Sequence, residues 1–121
     1  MTSVIREPDT TSGPDVDADW VRDVVTVIRL MDLTRSTRVE IDDRTKECIG
    51  HLSDLLALDL GADQDAEVME LFQRCYQHLD LGRRPTRATK AYDAFEFMRD
   101  TAMITFELLK VYVTKYEEPA Q

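Results

Sequence analysis

The stretch RATKAYDAFEFMRDTAMITFELLKVYVTKY, residues 87–116, decides the fold of this 121-residue chain. It contains neither Gly nor Pro, and its apolar residues recur at intervals of three and four, which predicts one long helix. At 1.5 Å per residue that helix spans about 45 Å. Six of the nine aromatic residues of the chain lie on it.

Three shorter amphipathic helices are predicted upstream, at residues 17–34, 40–58 and 63–81. The Val-rich residues 24–28 have strand propensity, but no partner strand is predicted and the flanking residues keep helical spacing. Gly61 is expected to end the second helix, and Thr86 to cap the long one. Short connections between four helices predict an all-α, four-helix up-down bundle with a long C-terminal helix.

The bundle is expected to be a single domain of residues 17–118, preceded by a flexible acidic N-terminal tail, residues 1–16. A net charge of -9 with 43% hydrophobic residues predicts a globular cytoplasmic protein. No apolar run approaches the ~20 residues of a membrane helix, so no membrane partner is expected. Arg outnumbers Lys eleven to four and Asn is absent, a bias typical of a high-GC genome such as that of an actinobacterium.

All Cys and His residues of the chain fall in two Cys-x-x-His pairs, Cys48/His51 and Cys75/His78. Each pair lies on one helix face, and two facing pairs could offer zinc two thiolates and two imidazoles. The alternative is that both Cys residues are ordinary core residues. This alternative is favoured, because both also fit the apolar stripes of their helices. No cofactor is therefore expected, with zinc as the open alternative and a redox pair as a weaker one.

Charge separates along the predicted bundle. In an up-down bundle the first and third connections lie at the same end. We call it the basic end, because it carries the cations Arg35, Arg38, Arg83, Arg84, Arg87 and Lys90. Cations at the start of the long helix oppose its dipole, so solubility alone does not account for them. These residues are the candidate site for a protein partner or another anionic ligand. Nucleic acid is a possible partner that the acidic balance of the chain does not favour.

The long helix carries a second apolar stripe, opposite the one that contains Phe95 and Met98. A single core needs one stripe, so the second is expected to remain uncovered in a monomer. We therefore predict a homodimer, or a complex with a different chain, through the interface residues Phe97, Ile104, Leu108 and Val111.

Two segments, CIGHLSDLL at residues 48–56 and LKVYVTKYE at residues 109–117, resemble a family of small helical actinobacterial proteins. That family has no defined activity and is often labelled as associated with natural-product biosynthesis. The resemblance implies a helical fold and assigns no functional residue.

Function is expected to lie in binding, because no nucleophile with a facing base and no phosphate-binding Gly-rich loop is found. The chain is predicted to be a non-enzymatic regulatory or accessory module for protein–protein interaction, although acidic side chains leave catalysis open. The alternatives are a small-molecule or zinc-binding bundle that uses the two Cys-x-x-His pairs, and a nucleic-acid binder that uses the basic end.

Overall fold

The computed structural model describes residues 16–117, and within that range it contains four α-helices and no strand. The helices are α1 (Ala18–Leu30), α2 (Arg38–Leu56), α3 (Ala66–His78) and α4 (Ala91–Tyr116). Single 3-10 turns, Leu33–Arg35 and Leu81–Arg83, lie in the first and third connections. The predicted all-α class is confirmed, as is the long C-terminal helix. The predicted tail lies, apart from Val16, outside the described residues.

Helix starts are fixed by side-chain caps at three of the four helices. Asp17 accepts from the backbone N–H of Trp20, and Asp65 accepts from those of Glu67 and Val68. Thr37 and Glu40 form a reciprocal capping box at the start of α2. Helix α4 follows Lys90, its N-cap residue, whose side chain makes no cap bond.

Thr86 is not the cap of α4, contrary to the sequence prediction. Its backbone N–H donates to Thr89 Oγ1 at 2.8 Å, which folds residues 86–89 into a separate turn. The carbonyls of Thr86 and Thr89 are both bound by Arg38 of α2. The conformation of this turn therefore depends on its contact with α2 and not on the helix propensity of its residues.

Two hydrophobic clusters show that the helices alternate in direction. The acidic-end cluster is named for the second connection beside it, which carries Asp59, Asp63 and Asp65. It joins the start of α1 and most of α3 to the ends of α2 and α4, with Leu52, Leu55 and Leu108 fully buried. The basic-end cluster joins the end of α1 to the starts of α2 and α4, around Ile28 and Met98. Helix α3 contributes no residue to the basic-end cluster, and its direction follows from two contacts with α4. Arg74 bonds Glu107, whereas His78, one turn further along α3, lies against Thr101, which is earlier on α4, so the two helices are antiparallel. The predicted up-down order is confirmed.

Helix α4 lies at the centre of the bundle, with its most extensive contact against α2 and further contacts against α1 and α3. This position explains why α4 is apolar on two sides, because one side meets α1 and α2 while the other meets α3. No described helix has both the length and the apolar character needed to cross a membrane.

The second face of α4, predicted to be uncovered, is covered in part. Leu108 has no exposed surface, and Ile104 and Val111 pack against the acidic-end cluster. Phe97 stacks on His78 of α3, with ring centroids 4.3 Å apart. Leu108 is therefore not available to a second chain, whereas Phe97, Ile104 and Val111 remain partly exposed, and the homodimer stays a prediction.

Candidate functional site

Arg38 fastens the connection between α3 and α4 onto α2. Its Nη1 donates to the carbonyl of Thr89 at 2.5 Å and its Nη2 to that of Thr86 at 2.8 Å. Its Nε donates to Asp42 at 2.9 Å, one turn along α2. The planar guanidinium can bind all three acceptors at once because its donors form a fixed fork.

A second arginine, Arg84, lies within the connection, and its Nε donates to the carbonyl of Leu79 at 3.0 Å, which stabilises the first part of the connection. Within the connection, the backbone N–H of Ala88 donates to Thr86 Oγ1 at 3.2 Å. These bonds hold residues 79–90 in place beside the first half of α2.

The basic groove lies between that connection and α2, with a volume of ≈480 Å³. One face of α2 forms its first wall, because residues spaced by three and four share a side of a helix. The connection forms its second wall. The lining residues are Arg38, Asp42, Thr45, Lys46, Ile49, Arg84, Pro85, Thr86 and Arg87.

Cations dominate the basic groove, with four of them against the single carboxylate of Asp42. That carboxylate is already paired with Arg38. No carboxylate within residues 16–117 forms an ion pair with Lys46 or Arg87. The groove therefore presents unneutralised positive charge beside the aliphatic surface of Ile49 and Pro85.

Three of the six predicted basic-end residues, Arg38, Arg84 and Arg87, line the basic groove. Arg83 and Lys90 are exposed nearby and do not line it, and Arg35 lines a separate groove beside α1. Lys46 was not among the predicted site residues. Lys46 lies eight residues after Arg38, with Asp42 midway between them, so all three are near the same side of a helix. This spacing could have identified Lys46 from the sequence.

The two Cys-x-x-His pairs lie apart. Cys48 belongs to the basic-end cluster, where its Sγ donates to Thr105 Oγ1 at 3.5 Å, whereas Cys75 belongs to the acidic-end cluster. His51 meets the edge of Trp20, with ring centroids at 4.9 Å, while His78 stacks on Phe97. Across the described part of the chain, no three His, Cys, Asp or Glu side chains lie close enough together to hold a metal ion.

Burial sets the chemistry of both thiols. It raises the pKa of Cys48 to about 11 and that of Cys75 to about 11. Hydrogen bonding to Thr105 opposes this rise at Cys48, and the charge of Arg74 opposes it at Cys75. Both groups are therefore neutral thiols near pH 7 in the metal-free chain, and neither is activated as a nucleophile.

No protein-family model, curated protein or solved structure matches this chain. The class to which the geometry points is a small four-helix bundle with a charged groove beside its third connection.

Proposed function

We propose that this chain is a non-enzymatic regulatory or accessory interaction module, and that its basic groove holds an acidic segment of a protein partner. The observation that carries this proposal is the lining of the groove, with four cations against one carboxylate that is already paired. This concentration of positive charge occurs in a chain whose net charge is -9.

The dimensions of the groove suit a short extended segment. The lining residues of α2 run from Arg38 to Ile49, a length of about 17 Å at 1.5 Å per residue. An extended chain rises by about 3.3 Å per residue, so roughly five residues of a partner would fill it. Carboxylates of that segment would meet the free guanidinium nitrogens of Arg84 and Arg87, whose geometry favours two-point contacts with carboxylates.

The charge of the whole chain supports a short acidic ligand over a long polyanion. Surface charges act over about 10 Å at ordinary ionic strength, so a short segment in the groove senses mainly the lining cations. A nucleic acid would extend past the groove toward the acidic remainder of the chain and would be repelled there.

Two free, buried cysteines suit a reducing compartment, and we propose a cytoplasmic location on that basis.

Binding of a fluorescein-labelled, glutamate-rich peptide, followed by fluorescence anisotropy, tests the proposal. The groove variant is Lys46→Glu with Arg87→Glu, since both side chains line the groove without an ion pair. The matched control is Arg83→Glu with Lys90→Glu, which makes the same change in net charge outside the lining. We expect the groove variant to lose at least about tenfold in affinity, and the control to lose less than about threefold.

Equal losses in the two variants would show that only net charge matters, and would contradict the proposal. So would a wild type that does not bind the peptide. A single-stranded DNA oligonucleotide of the same charge provides the remaining comparison. If it bound more tightly than the peptide and depended on the same two residues, the partner would be a nucleic acid instead.

A further inference from the structure

A second groove lies on the other flank of α2, between α2 and the end of α1, with a volume of ≈720 Å³. We name it the α1–α2 groove. It shares no lining residue with the basic groove. Its lining residues are Val27, Leu30, Met31, Asp32, Arg35, Ser36, Glu40, Asp43, Arg44 and Glu47.

The side of this groove formed by α1 is apolar and accessible. Val27 is 39% exposed and Leu30 is 79% exposed, and Met31 lies next to them. Seven residues before Val27, on the same side of the helix, Trp20 is 55% exposed. Single exposed apolar residues are ordinary, but Val27, Leu30 and Met31 adjoin one another and form one apolar strip at the end of α1. The exposed Asp23 separates this strip from Trp20.

The other side of the groove is acidic. Four carboxylates line it against two guanidinium groups, and one of those, Arg44, is paired with Glu47 at 2.9 Å. No ion pair involves Asp43 within residues 16–117. A ligand that covers the apolar strip therefore lies beside excess negative charge.

The walls of the groove are held in place before any ligand binds. Asp32 accepts from the backbone N–H and from the hydroxyl of Thr34, each at 2.9 Å, and this closes the turn after α1. The Ser36 hydroxyl donates to the carbonyl of Asp32 at 2.8 Å. The capping box of Thr37 and Glu40 then starts α2. A ligand would not have to order this connection, which lowers the entropic cost of binding.

We propose that the α1–α2 groove binds a cationic amphipathic helix of a second protein partner. The apolar strip would receive the large aliphatic residues of that helix, and the carboxylates of α2 would face its Lys and Arg residues. A groove between two packed helices accepts a third helix in the way that amphipathic target helices dock into hydrophobic grooves. This inference does not depend on the proposed function of the basic groove.

The test uses a fluorescein-labelled peptide of about 14 residues, near the shortest length at which an isolated helix is stable. It contains only Leu and Lys, with Leu at positions i, i+3, i+4 and i+7. A peptide with the same composition in scrambled order serves as the ligand control. Binding is measured by fluorescence anisotropy, and helix formation by circular dichroism.

The groove variant is Leu30→Gln with Asp43→Lys. Its matched control is Leu81→Gln with Asp54→Lys. Leu81 is 77% exposed, and Asp54 is an exposed carboxylate of α2, the helix that also carries Asp43. Neither control residue lines the groove. All four side chains are exposed, so both variants should fold as the wild type does.

We expect the amphipathic peptide to bind the wild type at least about tenfold more tightly than the groove variant, with the control variant within about twofold of the wild type. The scrambled peptide should bind weakly to all three. Equal losses of affinity in the groove and control variants would overturn the proposal. The same holds if the wild type bound the scrambled peptide as tightly as the amphipathic one. Light scattering adds another outcome: a wild-type dimer that the groove variant dissociates would make the occupant a second copy of this chain, which also overturns it.

Discussion

Three side chains tie α3 to α4 near the basic groove. His78 Nε2 lies 2.7 Å from Thr101 Oγ1, whose hydroxyl donates to the carbonyl of Phe97, also at 2.7 Å. Because that hydroxyl proton is already used, the imidazole donates its Nε2 proton to Thr101. The His78 ring stacks on Phe97 as well. A neutral imidazole fits this half-buried position, and a charged one would lose hydration there.

This contact predicts a pH-dependent stability. Burial lowers the pKa of His78 below its ordinary value of 6.5, opposed by Asp100 and reinforced by Arg83 and Arg84. The unfolded chain therefore binds the proton more tightly than the folded chain does. The free energy of unfolding should fall as the pH drops below 6.5, toward the lower pKa of the folded state.

Urea unfolding at about pH 7.5 and about pH 5.5 measures this effect. His78→Phe keeps an aromatic ring and cannot be protonated, so it should lose less stability over this range than the wild type. Gln77→Ala, at an exposed neighbouring position, should follow the wild type. A loss in His78→Phe as large as that of the wild type would show that other groups set the pH dependence.

At the scale of elements, the two apolar sides of α4 were visible in the sequence, but their partners were not. Spacing identifies Phe97, Ile104, Leu108 and Val111 as one stripe, and it holds no information on which chain covers it. The structure places α3 there, because α3 residues join the acidic-end cluster and His78, at the end of α3, stacks on Phe97. Helix order and type were predictable from local patterns, whereas the central position of α4 depends on contacts distant in sequence.

The covered face makes a prediction about stability. Leu108→Ala should lower the free energy of unfolding by about 2–5 kcal/mol, because it opens a cavity in the acidic-end cluster. Met103→Ala, at a position on the same helix that is 60% exposed, should change it by less than about 0.5 kcal/mol. Urea unfolding with light scattering measures both. If Leu108→Ala left stability unchanged and converted a dimer into monomers, this face would be an interface between chains after all.

At the scale of the whole molecule, charge is divided between the two flanks of α2. Arg38 and Lys46 face the basic groove, whereas Glu40, Asp43 and Glu47 face the α1–α2 groove. The two grooves share no residue, so two partners of opposite charge could bind at the same time. If both proposed ligands bind, the chain would act as an adaptor that brings a segment of one protein near a helix of another.

The basic end was predictable from the sequence, because an up-down order brings the first and third connections together. The role of each cation at the basic end could not be predicted from the sequence. Arg38 is bound to two backbone carbonyls of a connection about fifty residues further along the chain, and Arg84 binds the carbonyl of Leu79. Those bonds depend on how the third connection lies on α2, which no local pattern encodes. As a result, Arg83 and Lys90 were included in the predicted site although they do not line the groove. Lys46 was left out, although its spacing from Arg38 along α2 could have identified it.

The central claim is that the basic groove binds an acidic segment, and a ¹⁵N-edited NMR titration with the glutamate-rich peptide tests it most directly. The account predicts that the largest saturable shifts fall on the amides of Lys46 and Arg87 and their groove neighbours, and on the Nε–H groups of Arg84 and Arg87. Signals of Val27 and Leu30, which line only the α1–α2 groove, should stay unchanged. Shifts centred on those two residues, or shifts spread evenly over the exposed cations of the chain, would contradict it.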